Sequence, residues 1–157
     1  MQLIHITNFI AAPIDRVFDL SRSITLHKQS MTKFGEKAIE GRLGGLIGLN
    51  ETVTWKAKHL LKERRLKVKI TSYNKPYMFI DEQVDGDFKK MKHEHHFKQV
   101  ENGTIMIDQF YFESPHGQFG KVVDTFYLNK YLKKILEERN RLIKKHAEGN
   151  TWKQYLT

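Results

Sequence analysis

The sequence predicts an α+β fold: a curved antiparallel sheet of about six to seven strands, wrapped around a long C-terminal helix, with two short helices after the first strand. Three observations carry this. Apolar residues alternate with polar ones over residues 2–10 and again through much of 36–113, the period of half-buried strands. From about 119 to 147 the apolar period lengthens to that of a helix. Turn residues punctuate the strands at short intervals, which specifies hairpins rather than crossovers.

The elements follow in order. Residues 2–10 open as a strand, broken by Ala-Ala-Pro-Ile-Asp at 11–15. Pro13 sits where a first helical turn tolerates it, and Val17, Phe18 and Leu20 begin the first short helix. A second runs from about Ile24 to Ser30, and Glu36 begins the next strand. The glycine-rich GRLGGLIGLN (41–50) is a connection. In ETVTWKAKH, Val53, Trp55, Ala57 and His59 share one face, and in RRLKVKITSY Leu66, Val68 and Ile70 do. Asp85-Gly86 and Asn102-Gly103 are two-residue hairpin signals, closing PYMFIDEQV onto the histidine strand FKKMKHEHHFKQV, and that strand onto TIMIDQFYFES. After Ser114-Pro115-His116-Gly117 the long helix carries Phe126, Leu132, Ile135, Leu136, Arg139, Leu142 and Ile143 at helical spacing. Lys144, Lys145 and His146 suit its negative end, and Gly149 marks its stop. Residues 1–149 are thus expected to form one domain, with 150–157 a tail that frays or docks.

Composition limits the function. The chain of 157 residues has no cysteine, which removes thiolate nucleophiles, disulfides and Cys-ligated zinc. Its 27 Lys+Arg against 18 Asp+Glu give a formal charge of +9. Lys56, Lys58, Arg65, Lys67, Lys69, Lys90, Lys92 and Lys98 fall on the outward strand face, a surface able to meet nucleic acid or an anionic membrane. That face lacks the interleaved aromatics of single-strand binders, and an ordinary solvated face is the preferred reading. The glycines at 41, 44, 45 and 48 match neither nucleotide-loop signature, and no Gly-x-Ser-x-Gly is present. The opening MQLIHITNF lacks the basic start of a signal peptide, and no apolar run reaches the ~20 residues of a membrane span. A cytoplasmic protein, monomeric or homodimeric, is expected.

The segments IAAPIDRVFDL (10–20), EKAIEG (36–41), GGLIGLNETVTWKAKH (44–59), DEQVDGDFKKMKHEHHF (81–97) and TIMIDQFYFESPHGQFG (104–120), in this order, resemble the SRPBCC superfamily. The resemblance covers nearly the whole chain and is closest to small bacterial, polyketide cyclase/dehydrase-like members. It implies the START-like helix-grip fold, with a cavity between sheet and helix for lipids, sterols, polyketides or other apolar molecules. Some members are enzymes, so the fold leaves activity open.

On the histidine strand Met91, His93, His95 and Phe97 share the more apolar face, the one expected to meet the cavity. With Asn102-Gly103 as the turn, Phe97 lies opposite Asp108, His95 opposite Phe110, and His93 opposite Phe112. Asp108 is then diagonal to His95, roughly 7–8 Å away between backbones. A His-x-His pair is also a metal pattern, but the glutamate that cupin barrels place a few positions on is Gln99 here, so neither metal nor cofactor is expected. Trp55 and His59 face inward, Glu36 resembles a family position near the pocket, and Phe126 is expected in the pocket from the helix side. A surface glutamate at Glu36 and plain core packing of Trp55 remain open. The leading reading is a non-catalytic carrier or sensor of an apolar small molecule, oriented by His93, His95 and Asp108. The alternative is a cyclase or dehydratase in which His93 or His95 is general acid or base and Asp108 holds its tautomer.

Overall fold

The computed structural model describes residues 1–114 and 125–157. Seven strands form one antiparallel sheet: β1 (Gln2–Ile10), β2 (Lys37–Gly41), β3 (Thr52–His59), β4 (Lys62–Asn74), β5 (Met78–Asp85), β6 (Lys90–Val100) and β7 (Gly103–Glu113). Their order is β1-β7-β6-β5-β4-β3-β2, so β2 to β7 form a meander and β1 adds beside its last strand. Helices α1 (Ile14–Ser21) and α2 (Ile24–Ser30) follow β1, α3 (Thr125–Glu148) crosses the sheet, and α4 (Lys153–Leu156) ends the chain. The sequence-expected start of the long helix near 119, and the break at Pro115–Gly117, lie outside the described residues.

Local chemistry explains the boundaries. Pro13 sits at the N-cap of α1, and the Ser23 hydroxyl caps α2 by accepting the Leu26 amide at 3.1 Å. Phe18 on α1 is wholly buried, edge-on to Phe79 and Phe97 at 5.5 and 5.3 Å. The 42–51 connection is tied to α2 through Ile24 N–H to Gly45 C=O, 2.8 Å, and buries Ile47.

Two hairpins differ from the sequence expectation. Between β6 and β7 the register pairs Val100 with Gly103, so the two loop residues are Glu101 and Asn102, not Asn102 and Gly103. Asn102 takes the left-handed conformation at φ 67°. Gly103 is required for another reason: a Cβ there would lie 2.4 Å from the Ile10 carbonyl oxygen and 2.8 Å from the Phe9 ring. Between β5 and β6 no two-residue turn forms at Asp85-Gly86. Residues 86–89 make a wider loop, braced by the Arg64–Asp87 ion pair at 2.7 Å and by Gln83 Nε2 donating to the Phe88 carbonyl at 2.8 Å. The loop swings Phe88 back onto Phe112, ring centroids 5.7 Å apart.

Helix α3 turns Leu128, Leu136, Arg139, Asn140, Ile143 and Ala147 inward. Phe126 is corrected by the same stripe. It lies two residues from Leu128, roughly 200° around the helix, and is 68% exposed with Lys130 over its ring. The C-terminal residues dock rather than fray: Arg16 lies 4.2 Å over the Trp152 ring, and Tyr155 packs on His146 and donates to Gln29 Oε1. No described helix is long and apolar enough to cross a membrane.

Candidate functional site

Helix α3 does not fill the space above the sheet. The described residues line a cavity of about 230 Å³. Its sheet wall is set by strand alternation: Val53, Trp55, Ala57 and His59 from β3, Leu66, Val68 and Ile70 from β4, Phe79 and Asp81 from β5, and Met91, His93 and His95 from β6. Leu128, Tyr131, Leu132, Ile135, Leu136 and Arg139 of α3 form the roof. Most of this wall is hydrocarbon, and three clusters stand out among its polar groups.

The first cluster is at the buried end. The corrected hairpin places Asp108 directly opposite His95, and His93 opposite Phe110. His93 Nε2 donates to Asp108 Oδ1 at 2.7 Å, while His95 Nδ1 lies 3.3 Å from the same oxygen. His95 Nε2 lies 2.7 Å from Asp81 Oδ2, so this ring sits between two carboxylates. Arg139 donates to Asp108 Oδ1 at 3.2 Å and to the Ser21 carbonyl at 3.3 Å, and Asn140 donates to Asp108 Oδ2 at 2.7 Å. The two imidazoles overlap, centroids 3.7 Å apart, and Phe79 stacks on His95 at 4.1 Å.

Charge and burial set the protonation. His93 is 6% exposed; burial, and then the neighbouring His95, push it down to about 4 despite Asp108, so the ring is neutral near pH 7. Its Nδ1 lone pair has no hydrogen bond among the described residues, and the residue lines the cavity. Burial alone raises Asp108, but Arg139 and the hydrogen bonds from His93 and His95 outweigh it and hold the carboxyl well below its usual range. The same contest, won by His95, lowers Asp81.

The second cluster is His27 and Glu36, joined at 2.7 Å, with the Trp55 ring 4.3 Å from that of His27. Glu36 precedes β2 and is 6% exposed, so it is not a surface glutamate. The third is His59 Nδ1 and the Tyr131 hydroxyl at 2.9 Å, with Phe34 against the imidazole. Burial lowers His59 and raises Tyr131.

Of the residues expected at the site, Glu36, Trp55, His59, Met91, His93, His95 and Phe110 line the cavity. Four do not. Asp108 lies behind the imidazoles and reaches the cavity only through them. Phe97 and Phe112 are core, covered by Phe18 of α1 and Phe88 of the 86–89 loop respectively. Phe126 points outward. Sequence reading missed Asp81, Arg139, Tyr131 and His27 as site residues. Two signals were present: Asp81 shares parity with Phe79, and Arg139 stands in an apolar helical stripe, where a buried cation demands a partner.

No protein-family model and no curated protein matches the chain. Solved structures do. A protein from Thermus thermophilus superposes with TM-score 0.74 at 16% identity, covering 93% of this chain and 97% of that one. A Mycobacterium smegmatis START superfamily protein gives 0.69 at 10% identity, covering 93% and 97%. Major latex-like protein 151 of Panax ginseng gives 0.67 at 17% identity, covering 94% and 98%. At these identities the likeness concerns architecture, and with the seven-stranded sheet and its crossing helix it is decisive for that: the chain has the START-like helix-grip fold.

Proposed function

We infer that this chain binds a small apolar molecule bearing one polar group, in the cavity between sheet and α3, as a carrier or sensor. The observation that carries the reading is an unfilled, hydrocarbon-walled space of about 230 Å³ between the sheet and α3. Its volume is below the ~300–1,000 Å³ of drug-sized pockets. A guest of one or two rings, or a short chain, fits better than a sterol or a long lipid. Burial supplies most of the affinity, at about 25 cal/mol per Å² of apolar surface removed from water. The free Nδ1 of His93 is an acceptor for a hydroxyl or amide of the guest, held in place by Asp108 behind it. The test is displacement of a fluorescent apolar probe by small aromatic and short-chain compounds. Saturable displacement supports the reading, and a folded protein that takes up no apolar probe removes it.

One observation favours a second reading. A neutral imidazole at the cavity wall with a carboxylate on its far nitrogen is the arrangement of an oriented general base. A cyclase or dehydratase using His93 predicts turnover that His93→Gln abolishes while leaving binding in place. Binding without turnover keeps the carrier reading.

A further inference from the structure

We propose that Asp81, His93 and His95 form a binding site for a divalent first-row transition metal, of the Zn2+ or Fe2+ class, at the buried end of the cavity. Asp81 and His93 are directly paired across β5 and β6, and His95 is two residues further along β6 on the same face. One donor atom from each lies within 4.8 Å of the others. Donors on a single metal are roughly 3.0–3.4 Å apart at bond lengths of about 2.1 Å, so small ring rotations close the triangle. Two imidazoles and one carboxylate on one side of an ion leave its remaining positions toward the cavity, the donor set of open zinc and non-haem iron sites.

The surroundings are those of a supported site rather than of three adjacent polar residues. Asp108 faces both imidazoles from behind, 2.7 Å from His93 Nε2 and 3.3 Å from His95 Nδ1. It thereby orients both rings so that His93 Nδ1 and His95 Nε2 are the nitrogens left for an ion. Asp108 is itself fixed by Asn140 and Arg139. Charge points the same way. Among the described residues at this end of the cavity, two carboxylates, Asp81 and Asp108, surround one guanidinium, that of Arg139, which bonds to Asp108 and also acts on Asp81. A cation between Asp81 and the imidazoles offsets the excess. With the ion on His95 Nε2, the one proton of the neutral ring moves to Nδ1, which faces the Asp108 carboxylate. An open coordination position would then meet the polar group of a guest.

The test uses the full chain stripped with a chelator and titrated with Co2+ as an optical stand-in for Zn2+ and Fe2+. The expected result is a saturable visible band at one ion per chain, displaced by Zn2+. Asp81→Asn and His93→Gln, both folded by circular dichroism, should weaken Co2+ at least about tenfold. A folded wild type with no band overturns the proposal. So does a band of unchanged affinity in both variants, which assigns the ion to other histidines. Apolar-probe uptake by the same metal-free sample reports on the cavity separately, so the failure of one reading is distinguishable from the failure of the other.

Discussion

Asp108 pairs with His95 across the β6–β7 ladder yet bonds more closely to His93, the diagonal neighbour, at 2.7 Å against 3.3 Å. One buried carboxylate thus orients two stacked imidazoles, and Arg139 and Asn140 descend from α3 to fix it. The network ties the roof of the cavity to its floor.

Removing Asp108 should therefore be severe. Asp108→Asn leaves the Arg139 guanidinium buried without its counter-charge, a change worth about 3–5 kcal/mol. The expected outcome is a large drop in the urea midpoint with little change in slope. A shift within about 0.5 kcal/mol would mean that the network contributes nothing to folding.

Acid should destabilise the metal-free protein before its carboxylates titrate. His93 is held at about 4 when folded and returns to its ordinary 6.5 when unfolded, so between those values the unfolded chain binds the extra proton. Its contribution is complete above pH 6.5 and declines as pH falls to about 4, by roughly 3 kcal/mol. His59 and His146, lowered chiefly by burial, tilt the curve the same way. Asp108 and Asp81, both depressed, extend the loss below their ordinary 3.8. Denaturant titrations from pH 7 to 4 check this: the slope should flatten in His93→Gln, and an identical slope would assign it elsewhere.

The β3–β4 hairpin stores strain. Its loop residues Leu60 and Leu61 both have positive φ, 52° and 65°, where Asn-Gly is the favoured pair. Leu60 lines the cavity, but Leu61 is 93% exposed. Leu61→Gly should stabilise by about 1 kcal/mol through relieved strain. A loss of stability would show that Leu61 has a packing role.

Filling the cavity should abolish uptake without unfolding the chain. Ala57 is buried on β3 and faces the space between sheet and α3. Ala57→Phe places a ring where the guest is held. Thermal unfolding should shift by no more than overpacking costs, about 1–3 kcal/mol. Unimpaired probe binding by this variant would put the guest elsewhere.

The sheet and its long helix were legible because their evidence is periodic. Val53, Trp55, Ala57 and His59 alternate, and the α3 stripe repeats, whatever the loops do. Register was less so. Gly103 reads as a turn glycine, whereas its lack of a side chain serves the close approach of Ile10, a contact 93 residues away in sequence that no local rule contains. The slip of the hairpin moved Asp108 from diagonal to directly opposite His95. The turn at Leu60-Leu61 carries no Gly or Asn and is visible only from the strands around it. Asp81 was missed because its partners come from β6, and Phe126 was misplaced because its apolar ring was weighed above its phase, roughly 200° from the buried Leu128.

The central claim is that the hollow under α3 holds an apolar guest, and calorimetric titration with a small fused two-ring aromatic such as indole tests it most directly. The account predicts saturable one-to-one binding with a negative heat-capacity change in the wild type, and none in Ala57→Phe. Heats that never saturate, or that are the same in both proteins, would contradict it.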